Sequence, residues 1–214
     1  MFELDDISEL PELIKKYPKL KGLNVTVPYK IEVLPFLDEL DDIAKQTGSV
    51  NTIQVKYKNG KAFLKGYNTD VIGFEQTLLP LLENHKGIKA LILGTGGSAQ
   101  AVVFVLNKMG IDSLFVSRNP ALPKQINYSE ITQELLEDYY LIIQTTPLGM
   151  FPLVKNSPPI HYDLLGKNHI LYDLIYNPTE TLFMKQGKQN GALVINGLKM
   201  LESQADASWD IWNK

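Results

Sequence analysis

The chain contains no cysteine, which excludes disulfides, thiolate metal ligands and cysteine nucleophiles together and is compatible with a reducing compartment. Histidine is scarce. His85, His161 and His169 sit far apart with neither HExxH nor HxxxH spacing, so no metal centre is expected. Positive charge is not in excess: the net charge is −3 and the sequence pI is near 5.7, which leaves no electrostatic footprint for nucleic acid or an anionic membrane. Long apolar runs are missing too. The stretch AVVFVL at 101–106 is far too short to span a bilayer, and the opening MFELDDISEL is acidic, without the basic and apolar regions of a secretory leader. These absences point to the cytoplasm and to small-molecule partners.

What is present is an ordinary globular composition, 44% hydrophobic and 21% charged over 214 residues, enough for one large domain or two small ones; two are expected. No internal repeat is visible, and short strand-like runs alternate with helical stretches, the pattern of an α/β protein. In a first block MFEL begins a strand, ISELPELIKKYP reads as a helix and GLNVTVP as a strand. IEVLPFLDELDDIAKQTG reads as helical pieces broken by Pro35 and stopped by Gly48. SVNTIQVKYKNGKAFLKGYN alternates around Asn59-Gly60, a strong hairpin signal, and a helix is expected over roughly residues 70–83.

The second block opens with KALILGTGGSAQAVVFVLNKMG, an apolar strand running through a glycine turn into a helix. Strands are expected at SLFVS, YLIIQTT, HILYDLI and ALVIN, which makes a doubly wound parallel sheet. The last stretch, GLKMLESQADASWDIWNK, reads as a helix whose apolar face (Leu198, Leu201, Ala205, Trp209, Trp212) must bury, returning to the first block.

The turn GTGGSA, 94–99, follows a strand and opens a helix, so its glycines let backbone approach a pyrophosphate that the helix N-terminus attracts. The next strand ends at Ser117-Arg118, where an NAD enzyme places an acid on the ribose; an arginine there favours a 2′-phosphate and hence NADP. Lys30 ends the strand NVTVPYK, where side chains reach a ligand crevice, although a surface lysine is the more ordinary reading of that residue alone. Asn51 and Thr52 in SVNT, Asp70 in GYNTD and Gln204 in the last helix also have plain readings as turn, N-cap or solvent-facing residues.

Taken together, NVTVPYK, SVNT, GYNTD, GTGGSA, TTPLGM (145–150), DLIYNPTET (173–181) and NGLKMLESQA (196–205) resemble the shikimate dehydrogenase family along essentially the whole chain. The resemblance implies a substrate-binding α/β domain from 1–72 and 198–214, and a Rossmann-like NADP-binding domain from 73–197. It implies NADPH-dependent reduction of 3-dehydroshikimate to shikimate, in the route to aromatic amino acids, by a monomer or homodimer. Lys30 and Asp70 match the catalytic pair; Thr26, Asn51, Tyr176 and Gln204 match substrate-binding positions. Gly94, Gly96, Gly97, Ser98 and Ala99 match the pyrophosphate turn, Ser117 and Arg118 the 2′-phosphate end, and Thr145 and Gly197 the nicotinamide half.

Two departures accompany the match. Family members commonly carry a second arginine shortly after the first; SRNPALPK places Leu122 there, with Lys124 as a possible substitute. The family also begins with a βα unit bearing a Ser-x-Ser pair that grips the substrate carboxylate, and this chain starts after it, on the order of 30 residues short. Two alternatives therefore stay open: a quinate/shikimate dehydrogenase with relaxed NAD/NADP use, and a nucleotide-binding protein with impaired turnover. For the second, the expectation is that these residues alone bind NADPH but reduce substrate poorly.

Overall fold

Asn59 and Gly60 both take left-handed backbone, φ 51° and 76°, as a two-residue hairpin loop between right-twisted strands requires. They join β3 (Thr52–Lys58) to β4 (Lys61–Tyr67), with Thr52 opposite Tyr67. The computed structural model describes residues 2–82 and 87–214; His85 and the last residue of the helix expected to reach 83 lie outside them. β1 (Gly22–Asn24) pairs antiparallel with β3, and β2 (Glu39–Leu40) parallel with β4, giving the order β1-β3-β4-β2. α1 (Leu10–Lys16) and α2 (Asp42–Thr47) pack on this sheet through Leu10, Ile14 and Ala44, against Val33, Val50, Ile53, Val55 and Leu64. Asp41 caps α2, accepting from the Ala44 amide at 2.8 Å, and Gly48 ends it in left-handed backbone.

Three local expectations change here. Residues 2–4 form no strand; Tyr29 Oη donates to the Leu4 and Asp5 carbonyls, and Phe2 rests on Tyr17 with ring centroids 4.9 Å apart. A strand persists only beside a partner, and no described strand runs next to them. β1 covers only the start of GLNVTVP. β2 arises inside a stretch read as helical because Gly66, having no side chain, leaves room for Leu37, Leu40 and Val50, toward which a Cβ would point at 2.6–2.9 Å.

The second sheet is wholly parallel: β5 (Ala90–Leu93), β6 (Ser113–Ser117), β7 (Gln125–Asn127), β8 (Leu141–Gln144), β9 (Ile170–Asp173) and β10 (Leu193–Ile195). Their order, β10-β9-β8-β5-β6-β7, reverses direction between β5 and β8, so a crevice opens at the carboxyl ends of those two strands. β5 shows why such strands read as unbroken apolar runs. Ala90 and Ile92 face one core and Leu91 and Leu93 the other. The first core is closed by α3 (Asp70–Leu82) and α4 (Gly97–Lys108) through Val71, Phe74, Leu78, Val102, Val105 and Leu106. The second is closed by Leu136 of α5 (Gln133–Asp138) and by Phe183 and Met184 of α6 (Leu182–Gln189). β7, only three residues long, was not foreseen; it is too short to show a period.

The final helix, α7 (Leu198–Trp212), returns to the first sheet as expected, but on a different face. Leu198 and Trp209 are 44% and 65% exposed, and the buried stripe is Met200 and Ser208 with Gln204 between them. Gly73 decides this: a Cβ there would come within 2.5 Å of the Met200 carbonyl oxygen, so only glycine admits α7 against α3. Further along, Gln54 Nε2 donates to the Ile211 carbonyl and Trp212 Nε1 to the Ile53 carbonyl at 2.9 Å. Of the expected apolar face Trp212 is kept, and polar bonds between α7 and β3 fasten it there.

Candidate functional site

Lys30 lies in the turn that follows β1, where its carbonyl accepts from the Val50 amide at 2.7 Å. Its ammonium donates to Asp70 Oδ2 at 2.6 Å, and the two side chains are only 12% and 8% exposed. Asp70 opens α3, where the positive end of the helix favours a carboxylate. The second oxygen of Asp70 accepts from Asn51 Nδ2 at 2.9 Å, and Asn51 Oδ1 in turn accepts from the Thr69 amide at 2.7 Å. Asn51 Nδ2 also faces Gln204 Oε1 at 3.2 Å. β3, the start of α3 and the middle of α7 thus converge on one ion pair, held from several sides.

This pair opens into a cleft of about 570 Å³ between the two sheets. All six residues expected to touch substrate, Thr26, Lys30, Asn51, Asp70, Tyr176 and Gln204, line it. From the other side it is lined by Ser98, Thr145 and Gly197, which follow β5, β8 and β10. The mouth is apolar, with Val27, Met150 and Phe151 exposed to 60%, 43% and 65%. A cleft with apolar walls and a few convergent polar groups at its floor fixes the orientation of a small ligand.

The glycine turn fits a dinucleotide. Gly94 has φ 109°, and a Cβ on it would press on Thr145 Oγ1 and Thr146 Cγ2 at 2.8 and 2.9 Å; a Cβ on Gly96 would project into open space. The first-turn amides of α4 have no partner within the helix, so that space is bordered by donors. Ala99 is fully buried in the core, so only its backbone can face a ligand. Ser117 and Arg118 sit at the end of β6, beside the end of β5. Arg118 is the sole arginine in the chain and is exposed. Burial raises the Tyr128 phenol pKa, and the Arg118 charge acts the other way. The ammonium of Lys124 pairs with Asp112 at 3.0 Å at the exposed surface.

Thr145 is used by the fold as well: its hydroxyl donates to the Leu93 carbonyl at 2.7 Å, tying the ends of β8 and β5 across the crevice. Gly197 is a packing requirement, since a Cβ there would overlap the Leu174 carbonyl oxygen. Among the described residues no group of three or more His, Cys, Asp or Glu could hold a metal ion.

Several contributors escaped the sequence reading. Ser208 is fully buried and bonds Thr52 Oγ1 at 2.8 Å and Thr69 Oγ1 at 3.1 Å; its position four residues after Gln204, a polar residue on the same helical face, was the available signal. Asp173, also fully buried, accepts from Thr181 Oγ1 at 2.5 Å and the Ile175 amide at 3.0 Å. It thereby ties the end of β9 to the cap of α6 and fixes the base of the loop that carries Tyr176. Burial pushes its carboxyl up to about 6, against those two hydrogen bonds.

A family profile for the shikimate dehydrogenase substrate binding domain matches residues 1–53. The NADP(+) shikimate dehydrogenase of Caldanaerobacter subterraneus subsp. tengcongensis is 38% identical over 222 residues, covering 94% of this chain and 78% of that protein. Among solved structures, shikimate dehydrogenase 1 of Peptoclostridium difficile is 36% identical with a TM-score of 0.84, covering 99% of this chain and 78% of that one. The Thermus thermophilus enzyme in complex with NADP(H) and shikimate is 29% identical with a TM-score of 0.78, covering 97% and 78%.

Proposed function

Given that this chain belongs to the shikimate dehydrogenase family, we propose that it is an NADP-dependent oxidoreductase that reduces 3-dehydroshikimate to shikimate in the cleft between its two sheets. The observation that carries this is the Lys30–Asp70 pair at 2.6 Å, set on the floor of a cleft that the glycine turn borders from the other side. NADPH bound at that turn supplies the hydride. Backbone amides of Gly96, Gly97, Ser98 and Ala99 would hold its pyrophosphate, Ser117 and Arg118 would hold its 2′-phosphate, and Thr145 and Gly197 would border the nicotinamide half.

The chain's own task is to handle the charge that reduction of a ring ketone creates on oxygen. A proton donor within hydrogen-bond reach of that oxygen removes the charge as it forms. Lys30 Nζ takes this role: its ammonium polarises the carbonyl and gives up a proton, while Asp70 holds the amine in place. Thr26, Asn51, Tyr176 and Gln204 hold the ring hydroxyls and carboxylate against it. In this reading residues 1–72 and 198–214 form the substrate domain and 73–197 the nucleotide domain, in a cytoplasmic monomer or homodimer.

The test is direct: the protein is mixed with 3-dehydroshikimate and NADPH and the loss of NADPH absorbance is followed. Binding of NADPH without its oxidation would refute the assigned reaction.

A further inference from the structure

The Lys30 ammonium has a second partner, and it comes from the opposite sheet. Ser98 Oγ accepts from Lys30 Nζ at 3.0 Å. Ser98 is the second residue of α4, in the turn expected to serve only phosphate. Two neighbouring contacts fasten the same turn to the first sheet. A Cβ on Gly97 would stand 2.8 Å from Lys30 Cβ, so glycine at that position is what lets α4 approach the lysine at all. Ser49 Oγ donates to the Gly97 carbonyl at 3.2 Å, and Asn68 Nδ2 holds Ser49 Oγ at 2.8 Å. The turn therefore has two sides: Gly96 faces open space, whereas Gly97 and Ser98 face Lys30.

An ammonium carries three protons in tetrahedral array. One acceptor sets its distance but leaves it free to swing on a four-carbon stem. Two acceptors on different elements, Asp70 Oδ2 and Ser98 Oγ, fix its direction and leave the third proton for the cleft. We propose that Ser98 is a positioning residue for Lys30, its side-chain hydroxyl aiming the ammonium at the substrate oxygen while only its backbone amide serves the nucleotide. This rests on the reading of Lys30 as proton donor. It also makes the nucleotide turn part of the proton-delivery geometry, so that the two halves of the site must be docked for Lys30 to be aimed.

A misplacement of the order of 1 Å at a reacting group can cost about 10²-fold in rate. Ser98→Ala is accordingly expected to lower kcat by about 10- to 100-fold while KM and the NADPH Kd stay within about threefold of wild type. Ser98→Thr keeps the hydroxyl and is expected to recover most of the loss. An NADPH Kd raised more than about tenfold with kcat preserved would make Ser98 a phosphate ligand and overturn the proposal. An unchanged kcat in Ser98→Ala would overturn it too. A readout independent of turnover is the NMR signal of the Lys30 ε-methylene in the full chain, identified by its loss in Lys30→Ala. It should move in Ser98→Ala, return in Ser98→Thr and stay put in Ser129→Ala, whose serine is exposed. If wild type fails to oxidise NADPH with 3-dehydroshikimate, the assigned reaction falls, and this signal alone decides the role of Ser98: an unmoved signal in Ser98→Ala refutes it.

Discussion

Replacing Lys30 by alanine tests the core of the site, and the structure sets two separate magnitudes. The kinetic one follows from what the ammonium does: a general acid acting on charge that develops only in the transition state contributes roughly 10²- to 10⁴-fold, or about 3–5.5 kcal/mol of barrier. Because that charge is absent in the bound ketone, the loss should fall on kcat, with KM little changed. The second magnitude concerns stability. Lys30 and Asp70 are 12% and 8% exposed, and removing one member of a buried pair costs about 3–5 kcal/mol when the other charge is stranded. Asp70 is not fully stranded here. Its second oxygen keeps Asn51 Nδ2 at 2.9 Å, the α3 terminus favours its charge, and the open cleft admits water. We therefore expect about 3 kcal/mol, the low end of that range. Initial rates over a range of 3-dehydroshikimate at saturating NADPH give the first value and urea unfolding the second. The double variant Lys30→Ala/Asp70→Ala should be less destabilised than the sum of the single variants by at least about 1 kcal/mol, because the stranded charge disappears. A rise in KM with kcat intact would make Lys30 a binding residue and refute the reasoning.

Three further outcomes are expected. Arg118→Ala should weaken NADPH by about 10- to 100-fold, the loss of one hydrogen bond to a charged group, and leave NADH nearly unaffected; equal losses in fluorescence titrations of both cofactors would mean that Arg118 does not read the phosphate. Asp173 has a folded-state pKa of about 6, above its ordinary 3.8, so its folded form holds the proton more tightly than the unfolded chain does. Its contribution is present below 3.8 and lost as pH rises through about 6. Relative to Asp173→Asn, wild type should lose about 3 kcal/mol of unfolding free energy between about pH 4 and 7, and a difference that stays constant in urea melts across that range would count against it. Gly197→Ala forces a Cβ into the Leu174 carbonyl and should lower stability by about 1–3 kcal/mol, as overpacking does; a Tm equal to wild type would show that the start of α7 can shift freely.

Local chemistry carried much of this protein in its sequence. Asn59-Gly60 dictates a left-handed two-residue loop whatever surrounds it, Gly48 ends α2 where it stands, and the unbroken apolar runs of β5, β8 and β9 announce strands covered on both faces. The glycine turn between β5 and α4 and the arginine at the end of β6 follow equally from backbone geometry and charge. Other features depend on what lies far away in the chain, and no local pattern encodes them. Residues 2–4 look like a strand, but strand formation needs a neighbour to bond with. α7 has an oily stripe by periodicity, yet the close approach of Gly73 to the Met200 carbonyl selects the stripe with Ser208 in it, and of the expected stripe Trp212 keeps a partner in the Ile53 carbonyl. The surface pairing of Lys124 with Asp112 is likewise invisible in the local sequence. The environments of Asp173 and Ser98 are likewise tertiary: one carboxylate is buried because a sheet and a helix cap close over it, and one hydroxyl meets Lys30 because a missing side chain at Gly97 lets two separately wound sheets come into contact. Sequence determines what each residue can donate, accept or bend; only the folded chain decides which partners come within hydrogen-bonding distance, because those distances are set by packing between elements that the sequence holds far apart.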